Sequence, residues 1–354
     1  MSAEQQSSIV TRHSSILVIQ TAFLGDAILT TPLLAALAER HGPVDVVVTP
    51  AAAPLLVAHP VIREVIPFDK RGRDRSFRGL WRLGTRLRER RYARVYLPHR
   101  SLRSAILAWL TGAPERIGFA DSVAAWSYTR RVARPKAGHE VERLLALVER
   151  RKDGKTEGRE GGEAAAAPPV QLGLTVGDRR QAAAWLAEQG VADGFVALAP
   201  GSVWATKRWP YYRELAERLD RPVVVVGGPE DADTGREIGA GEPSRIRSAA
   251  GELPLAVSAA LLAHAAVVVT NDSAPLHLGA AAGVPVVAIF GPTVPAFGFG
   301  PRGHRDQIVE LGGLACRPCS THGPMRCPLG HHRCMREVSI EQVLDAVKRA
   351  VIGR

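Results

Sequence analysis

Three short runs carry acidic, hydroxyl and cationic side chains at places where an α/β chain binds ligands. In TAFLGDAILTTP, residues 21–32, Gly25 supplies conformational freedom where the chain turns, and Asp26 stands just past an apolar run. Such a position, at the carboxyl end of a strand, is where open sheets bind ligands. Thr31 followed by Pro32 predicts a helix start, because threonine caps free amides and proline suits the first helical position. A plain capping role for Asp26 is the competing reading. In LAPGSVWATKRWP, residues 198–210, a Gly-Ser turn gathers Ser202, Thr206, Lys207 and Arg208, hydroxyl and cationic donors suited to a diphosphate. Trp209 beside them predicts core packing. In VVVTNDSAPLHLGAAAGVPVVAIFGPT, residues 267–293, Asp272 or Ser273 caps a helix with Pro275 in its first turn and Gly283 at its end. The positive terminus of that helix is a ready anion site. His277, four residues after Ser273, falls on the same helical face and is assigned to the ligand.

Other chemistries find no support. No G-x-G-x-x-G follows the first apolar run and no G-x-x-x-x-G-K-[ST] occurs, so neither a dinucleotide fingerprint nor a P-loop is available.

The elements that must position these runs alternate along the chain. Residues 16–20, 45–48 and 93–97 read as buried strands, with helical periodicity over 30–40, 77–90 and 101–110, the order of a parallel sheet with crossover helices. A second series places helices at 178–189 and 211–219 and strands at 195–199, 222–226, 265–270 and 284–290. Between them RRKDGKTEGREGGEAAAAPP lacks apolar periodicity and reads as a linker. The expected organisation is a Rossmann-like domain at 14–150, a linker at 151–170 and a second Rossmann-like domain at 171–354, with the ligand cleft between them.

With 46% hydrophobic and 23% charged residues the chain reads as globular. The longest apolar runs are broken by His264 or by Gly283 and Pro285, and the N-terminus has no apolar signal core, which together predict a cytoplasmic protein. The net charge of +11 is uneven: residues 63–136 hold nineteen Lys plus Arg against six Asp plus Glu. Such a stretch attracts nucleic acid, anionic headgroups or a phosphorylated glycan; a solvated arginine-rich surface is the alternative.

Taken together, GDAILTTP, PGSVWATKRWP, TNDSAPLHLGAAAGVPVVAIFGPT and CRPCSTHGPMRCPLGHHRC resemble glycosyltransferase family 9, the ADP-heptose:lipopolysaccharide heptosyltransferases, over Ser15 to Val351. The resemblance implies a GT-B fold, an acceptor-binding N-terminal domain, a nucleotide-sugar-binding C-terminal domain, and metal-independent transfer with inversion. It implies Asp26 as the base, Lys207 as a second catalytic residue, and donor binding by Asp272, Ser273 and His277, with Gly25, Ser202, Thr206 and Ala274 completing the set. The family often has glycine where Ala274 stands, which an ordinary helical position tolerates. The implied partners are ADP-heptose, the anionic lipopolysaccharide core and, peripherally, the inner membrane surface. No cofactor and no nucleic acid are expected. A nucleotide-sugar 2-epimerase of the same architecture and a non-catalytic polyanion-binding protein are the rival functions.

Cys316, Cys319, Cys327 and Cys334 have the spacing C-x₂-C-x₇-C-x₆-C. Two readings remain for them: a structural zinc held by four thiolates, or reduced, redox-labile thiols near the cleft.

Overall fold

The computed structural model describes residues 16–148, 151–152, 155–156 and 167–352. The expected domain limits at 14, 150 and 354 and most of the expected linker lie outside these residues.

The first half builds a six-stranded, all-parallel sheet from β1 (Ile16–Gln20), β2 (Val44–Val48), β3 (Ile62–Pro67), β4 (Arg94–Leu97), β5 (Glu115–Phe119) and β6 (Arg130–Val132), in the order β3-β2-β1-β4-β5-β6. Its helices are α1 (Leu24–Leu29), α2 (Thr31–His41), α3 (Phe77–Arg88), α4 (Leu102–Leu110) and α5 (Glu140–Leu145). β1 and β2 are apolar along nearly their whole length because helices cover both faces. The exception, Asp45 in β2, is fully buried and compensated by Arg63 at 2.7 and 2.8 Å and by the Tyr92 hydroxyl at 2.6 Å. In α3, Leu80, Leu83 and Leu87 face the sheet. A Cβ on Gly84 would lie 2.5 Å from that of Leu110, so only glycine permits this close crossing of α3 and α4.

Past the short pair β7 (Arg151–Lys152) and β8 (Lys155–Thr156), which apolar periodicity had not suggested, the chain still adheres to the first half. The Gln171 amide donates to the Thr31 hydroxyl and that of Gly173 to the Leu55 carbonyl. The second half then repeats the first topology with α6 (Val176–Glu188), β9 (Val196–Ala199), α7 (Tyr212–Arg218), β10 (Val223–Val225), α8 (Ala232–Gly239), β11 (Ile246–Ser248), α9 (Leu255–Leu262), β12 (Val267–Asn271), α10 (Ala274–Ala281), β13 (Val286–Phe290) and β14 (Gln307–Glu310), in sheet order β11-β10-β9-β12-β13-β14. Two further helices, α11 (Arg333–Arg336) and α12 (Ile340–Val351), close the chain. Both sheets therefore reverse strand order between their first and fourth strands, and ligands bind outside the carboxyl ends at such a reversal. One apolar cluster runs through both halves, from Leu33 and Leu37 to Val268 and Val286.

Two local expectations need correction. The run after β1 is a helix of its own, α1, and Thr30 rather than Thr31 is the boundary residue of α2. The hydroxyls of Thr30 and Thr31 donate back to the carbonyls of Asp26 and Ile28 instead of capping, as serine and threonine do when a preceding turn offers free acceptors.

Candidate active site

The cleft between the halves has a volume of about 740 Å³. Ala22, Phe23, Leu24, Asp69, Lys70 and Arg71 line it from the first half. Ser202, Ser273 and Ala274 line it from the second, together with the loop after β10 that holds Glu230 and Asp231.

Asp26 lies in the first turn of α1, partly buried, one turn from the cleft lining. One carboxylate oxygen accepts the Phe23 amide at 3.0 Å, so the capping role is real. It does not exhaust the group. Burial pushes the Asp26 carboxyl from 3.8 up to about 6, against the lowering effect of the Phe23 amide; Glu140 adds to the rise while Arg134 and Lys70 oppose it. A carboxylate with its proton affinity near neutrality is suited to accept a proton in a reaction.

Gly25 has a different reason from the one its place in a turn suggested. Its backbone is not in the left-handed region, but a Cβ there would lie 2.7 Å from Cδ2 of His277. The glycine lets α1 and α10 meet across the halves. His277 is buried, and burial lowers its pKa to about 4, so its imidazole is neutral. It lines a second, smaller cavity with His139 and Arg302, while its ring lies against Gly25, the neighbour of Asp26.

Lys207 and Asp272 form a buried pair. Lys207 Nζ donates to Asp272 Oδ2 at 2.6 Å and to its carbonyl at 3.0 Å, and the Thr293 hydroxyl donates to the same Oδ2 at 2.6 Å. The Asp272 carboxylate thus positions the lysine beneath the cleft floor. Ser273 bounds α10 without a side-chain cap; its hydroxyl donates to the Gly201 carbonyl at 3.2 Å. The helix terminus is left open to an anion, with Ala274 at its first position and outside the left-handed region, where the extra methyl is tolerated. Ser202 keeps its place at the cleft, accepting the Trp204 amide at 3.3 Å. Thr206 does not line the cleft: its hydroxyl donates to the Pro324 carbonyl, and its own carbonyl lies 2.7 Å from His332 Nε2. Arg208 folds back on the Ser202 carbonyl. Trp209 is core, as its type suggested, with its indole donating to the Val338 carbonyl at 2.9 Å.

Several residues escaped sequence reasoning. Asn271 is fully buried, donates to the Pro200 carbonyl at 2.8 Å and accepts from the Trp209 amide and the Tyr212 hydroxyl, joining the loops after β9 and β12. An asparagine at the last position of an otherwise apolar strand was the available signal. His322 stacks on Trp204 with ring centroids 6.2 Å apart and tilts against Phe23 at 5.8 Å, bridging the halves.

The cysteine segment covers Lys207, since a Cβ on Gly323 would lie 3.4 Å from the lysine stem. Among the described residues no group of three or more His, Cys, Asp or Glu is arranged to hold a metal ion, so the zinc reading is unsupported. Cys334 is buried beside Met335 in the apolar cluster of the second half, and burial pushes its thiol up to about 11. The basic stretch is likewise divided: Arg63, Arg90 and Arg94 pair with Asp45, Glu64 and Glu115, Arg73 and Arg82 are exposed but lie 3.6 and 3.5 Å from the Asp74 carboxylate, and Arg71, Arg75 and Arg78 are exposed.

Two facing doubly wound units with a ligand cleft between their reversal points make up the GT-B architecture. The sequence profile of glycosyltransferase family 9 (heptosyltransferase) matches residues 80–327. The chain is 30% identical to lipopolysaccharide heptosyltransferase 1 of Pseudomonas aeruginosa over 93% of this chain and 92% of that protein. It is 29% identical to lipopolysaccharide heptosyltransferase 2 of Escherichia coli over 84% and 88%. The solved structure of Escherichia coli ADP-heptose lipopolysaccharide heptosyltransferase II superposes with a TM-score of 0.77 at 27% identity, covering 96% of this chain and 98% of that one. This chain belongs to glycosyltransferase family 9.

Proposed function

We propose that this protein transfers heptose from ADP-heptose to the inner core of lipopolysaccharide by a single inverting displacement that needs no metal. The reading rests on opposite chemistry brought next to one cleft by its two halves. The first half brings a carboxyl raised to about 6, and the second an uncapped helix terminus with a buried lysine beneath it. The acceptor hydroxyl attacks the anomeric carbon as Asp26 takes its proton, and the bond from that carbon to the diphosphate oxygen breaks. The α10 terminus, Ser202 and Ser273 meet the departing ADP, and Lys207 adds its charge from below. These cations and dipoles supply the stabilisation that a metal supplies in other transferases. At the end of β10, Glu230 takes the ribose hydroxyls, the role of an acidic residue at the corresponding place in dinucleotide folds.

Lys70, Arg71 and the exposed arginines that follow receive the phosphates and carboxylates of the acceptor. The domains are assigned as 14–150 for the acceptor and 171–354 for the donor. Among the described residues no helix is long and apolar enough to cross a membrane, and we assign the protein to the cytoplasmic face of the inner membrane, held peripherally. Family membership removes the ground for a non-catalytic polyanion-binding protein. The deciding experiment offers ADP-heptose, and separately UDP- and GDP-sugars, with and without heptose-deficient lipopolysaccharide, and reads product mass. A heptosylated acceptor from ADP-heptose alone is expected. Free epimerised sugar in the absence of acceptor, or no product, would overturn the proposal.

A further inference from the structure

Five large apolar side chains stand in water together at the carboxyl end of the first sheet. Phe77 is 64% exposed, Trp81 49%, Leu102 48%, Val123 73% and Trp126 71%. Their placement follows from topology. Phe77 follows β3, Leu102 follows β4, and Val123 and Trp126 follow β5, all parallel strands whose carboxyl ends share the edge where β1 delivers Asp26. Contacts join the three loops into one rim. Arg103, next to Leu102, donates to the carbonyls of Asp74 and Arg75 just before Phe77. Arg100 pairs with Asp121 at 3.2 Å, two residues before Val123. Phe77 and Trp81 touch one turn apart with ring centroids at 6.2 Å. Beneath them Leu80, Leu83, Ala105, Ala124 and Tyr128 pack in one cluster, so the layer that bears the rim is rigid.

What surrounds the rim indicates what covers it. Arg71, Arg73, Arg75, Arg78 and Arg82 are exposed in the same segment against two acidic groups: Asp74 is buried and pairs with Arg73 and Arg82 at 3.6 and 3.5 Å, and Asp69 accepts the amides of Gly72 and Arg73, which leaves the segment a net positive charge. Aromatic side chains interleaved with arginine suit the boundary between headgroups and acyl chains of an anionic bilayer.

We propose that this rim inserts into the anionic membrane carrying the acceptor, with Trp81 and Trp126 as its anchors, and so faces the cleft toward the bilayer. The proposal rests on the reading that the acceptor is a lipid-borne glycan, and it assigns the side of the protein that meets the lipid.

The test is flotation of the full chain with vesicles of phosphatidylethanolamine and phosphatidylglycerol, against phosphatidylcholine alone. In parallel, tryptophan emission is quenched by lipids brominated along the acyl chain. The wild-type protein should float with the anionic vesicles and be quenched. The variant Phe77→Ser/Trp81→Ser/Trp126→Ser should bind at least about tenfold more weakly and lose the quenching, with an unchanged unfolding midpoint. Arg78→Ser should weaken anionic binding about fivefold. The triple variant should keep wild-type turnover on a deacylated, soluble acceptor and lose it on the same acceptor embedded in vesicles. Equal flotation and quenching of the triple variant would overturn the proposal. A wild-type dimer that the triple variant dissociates, without vesicle binding, would overturn it in favour of contact between two copies. Vesicle binding needs neither donor nor acceptor. Absence of transfer on every acceptor would therefore refute the proposed reaction and leave the docking result to be decided separately.

Discussion

Replacing Asp26 by asparagine should abolish transfer and stabilise the protein, and this opposite pair of effects separates a strained base from a simple helix cap. Burial holds the carboxyl at about 6 against an ordinary 3.8. Each pH unit of that displacement corresponds to ~1.4 kcal/mol, so ionised Asp26 costs the fold about 3 kcal/mol at most. Partial contact with solvent reduces this to about 1–2 kcal/mol. The sign follows from linkage: the folded state binds the proton more tightly than the unfolded chain, so stability falls as pH rises from near 3.8 through about 6 and the deficit is complete above that. Asparagine keeps an oxygen for the Phe23 amide and carries no charge. Asp26→Asn should therefore be about 1–2 kcal/mol more stable than wild type at pH 8, and the gain should vanish near pH 4. Denaturant unfolding at both pH values reads the difference, and turnover on ADP-heptose should fall more than about a hundredfold, the scale of losing a general base. Turnover by the wild type should rise with pH and level off above about 6. A variant less stable than wild type at pH 8 would show that the carboxylate is a cap and that burial does not set its proton affinity. Near-normal turnover would remove it from the reaction.

Lys207→Ala should cost about 3–5 kcal/mol of stability by leaving the Asp272 carboxylate buried without its partner; the double variant with Asp272→Ala should recover much of that stability in denaturant melts while turnover stays lost and donor binding weakens less than turnover. Gly25→Ala places a methyl into the His277 ring and should destabilise by about 1–3 kcal/mol, the usual cost of overpacking; the additional change His277→Ala should restore the melt. Turnover should survive EDTA, and loss restored by magnesium with the fold intact would refute metal independence. Arg73→Ser/Arg75→Ser/Arg78→Ser should raise the acceptor KM without altering donor affinity, and the wild-type acceptor KM should rise with salt, because exposed charges are screened within about 8 Å at physiological ionic strength; unaltered kinetics would remove these arginines from acceptor binding.

The architecture was legible in the sequence wherever an element is apolar along its length. β1, β9 and β12 are buried throughout, and a continuous apolar run marks a covered parallel strand without reference to anything distant. β3, β6 and β14 alternate or carry charge because they lie at or near sheet edges, and they left little pattern to read. The site was legible as a set of motifs and illegible as an arrangement. Lys207 and Asp272 are 65 residues apart, yet the lysine donates to both the carboxylate and the carbonyl of Asp272. Thr206 shares a motif with Lys207, yet its hydroxyl holds Pro324 in the cysteine segment. Adjacency in a turn places neighbouring side chains on different sides, so the residue beside a functional lysine is by default a structural one. Gly25 illustrates the same limit: its local place suggested a backbone role, whereas what requires glycine is a histidine 252 positions further along the chain.

The two halves use one device for opposite ends. Each sheet reverses its order between its first and fourth strands, and each ties the two loops that emerge there with buried side-chain hydrogen bonds. In the second half Asn271 does so. In the first half His99 Nε2 lies 2.9 Å from the Ser104 hydroxyl and 3.3 Å from that of Thr21, and burial lowers its pKa to about 4. A neutral imidazole adds no charge beside the ammonium of Lys70, which donates to the Thr21 carbonyl. Bracing both loops this way leaves the charged groups near the cleft free to differ: a carboxyl whose ionisation burial opposes in the first half, a lysine fixed by its own counter-ion in the second. A positive charge already neutralised by Asp272 would bind a diphosphate weakly in water. In the proposed reaction, under a cleft closed by substrate, it would need little reorganisation as charge develops on the leaving ADP. The proposed mechanism would therefore have this pair favour the transition state over the bound donor, and it requires the Lys207–Asp272 pair to remain intact through the reaction.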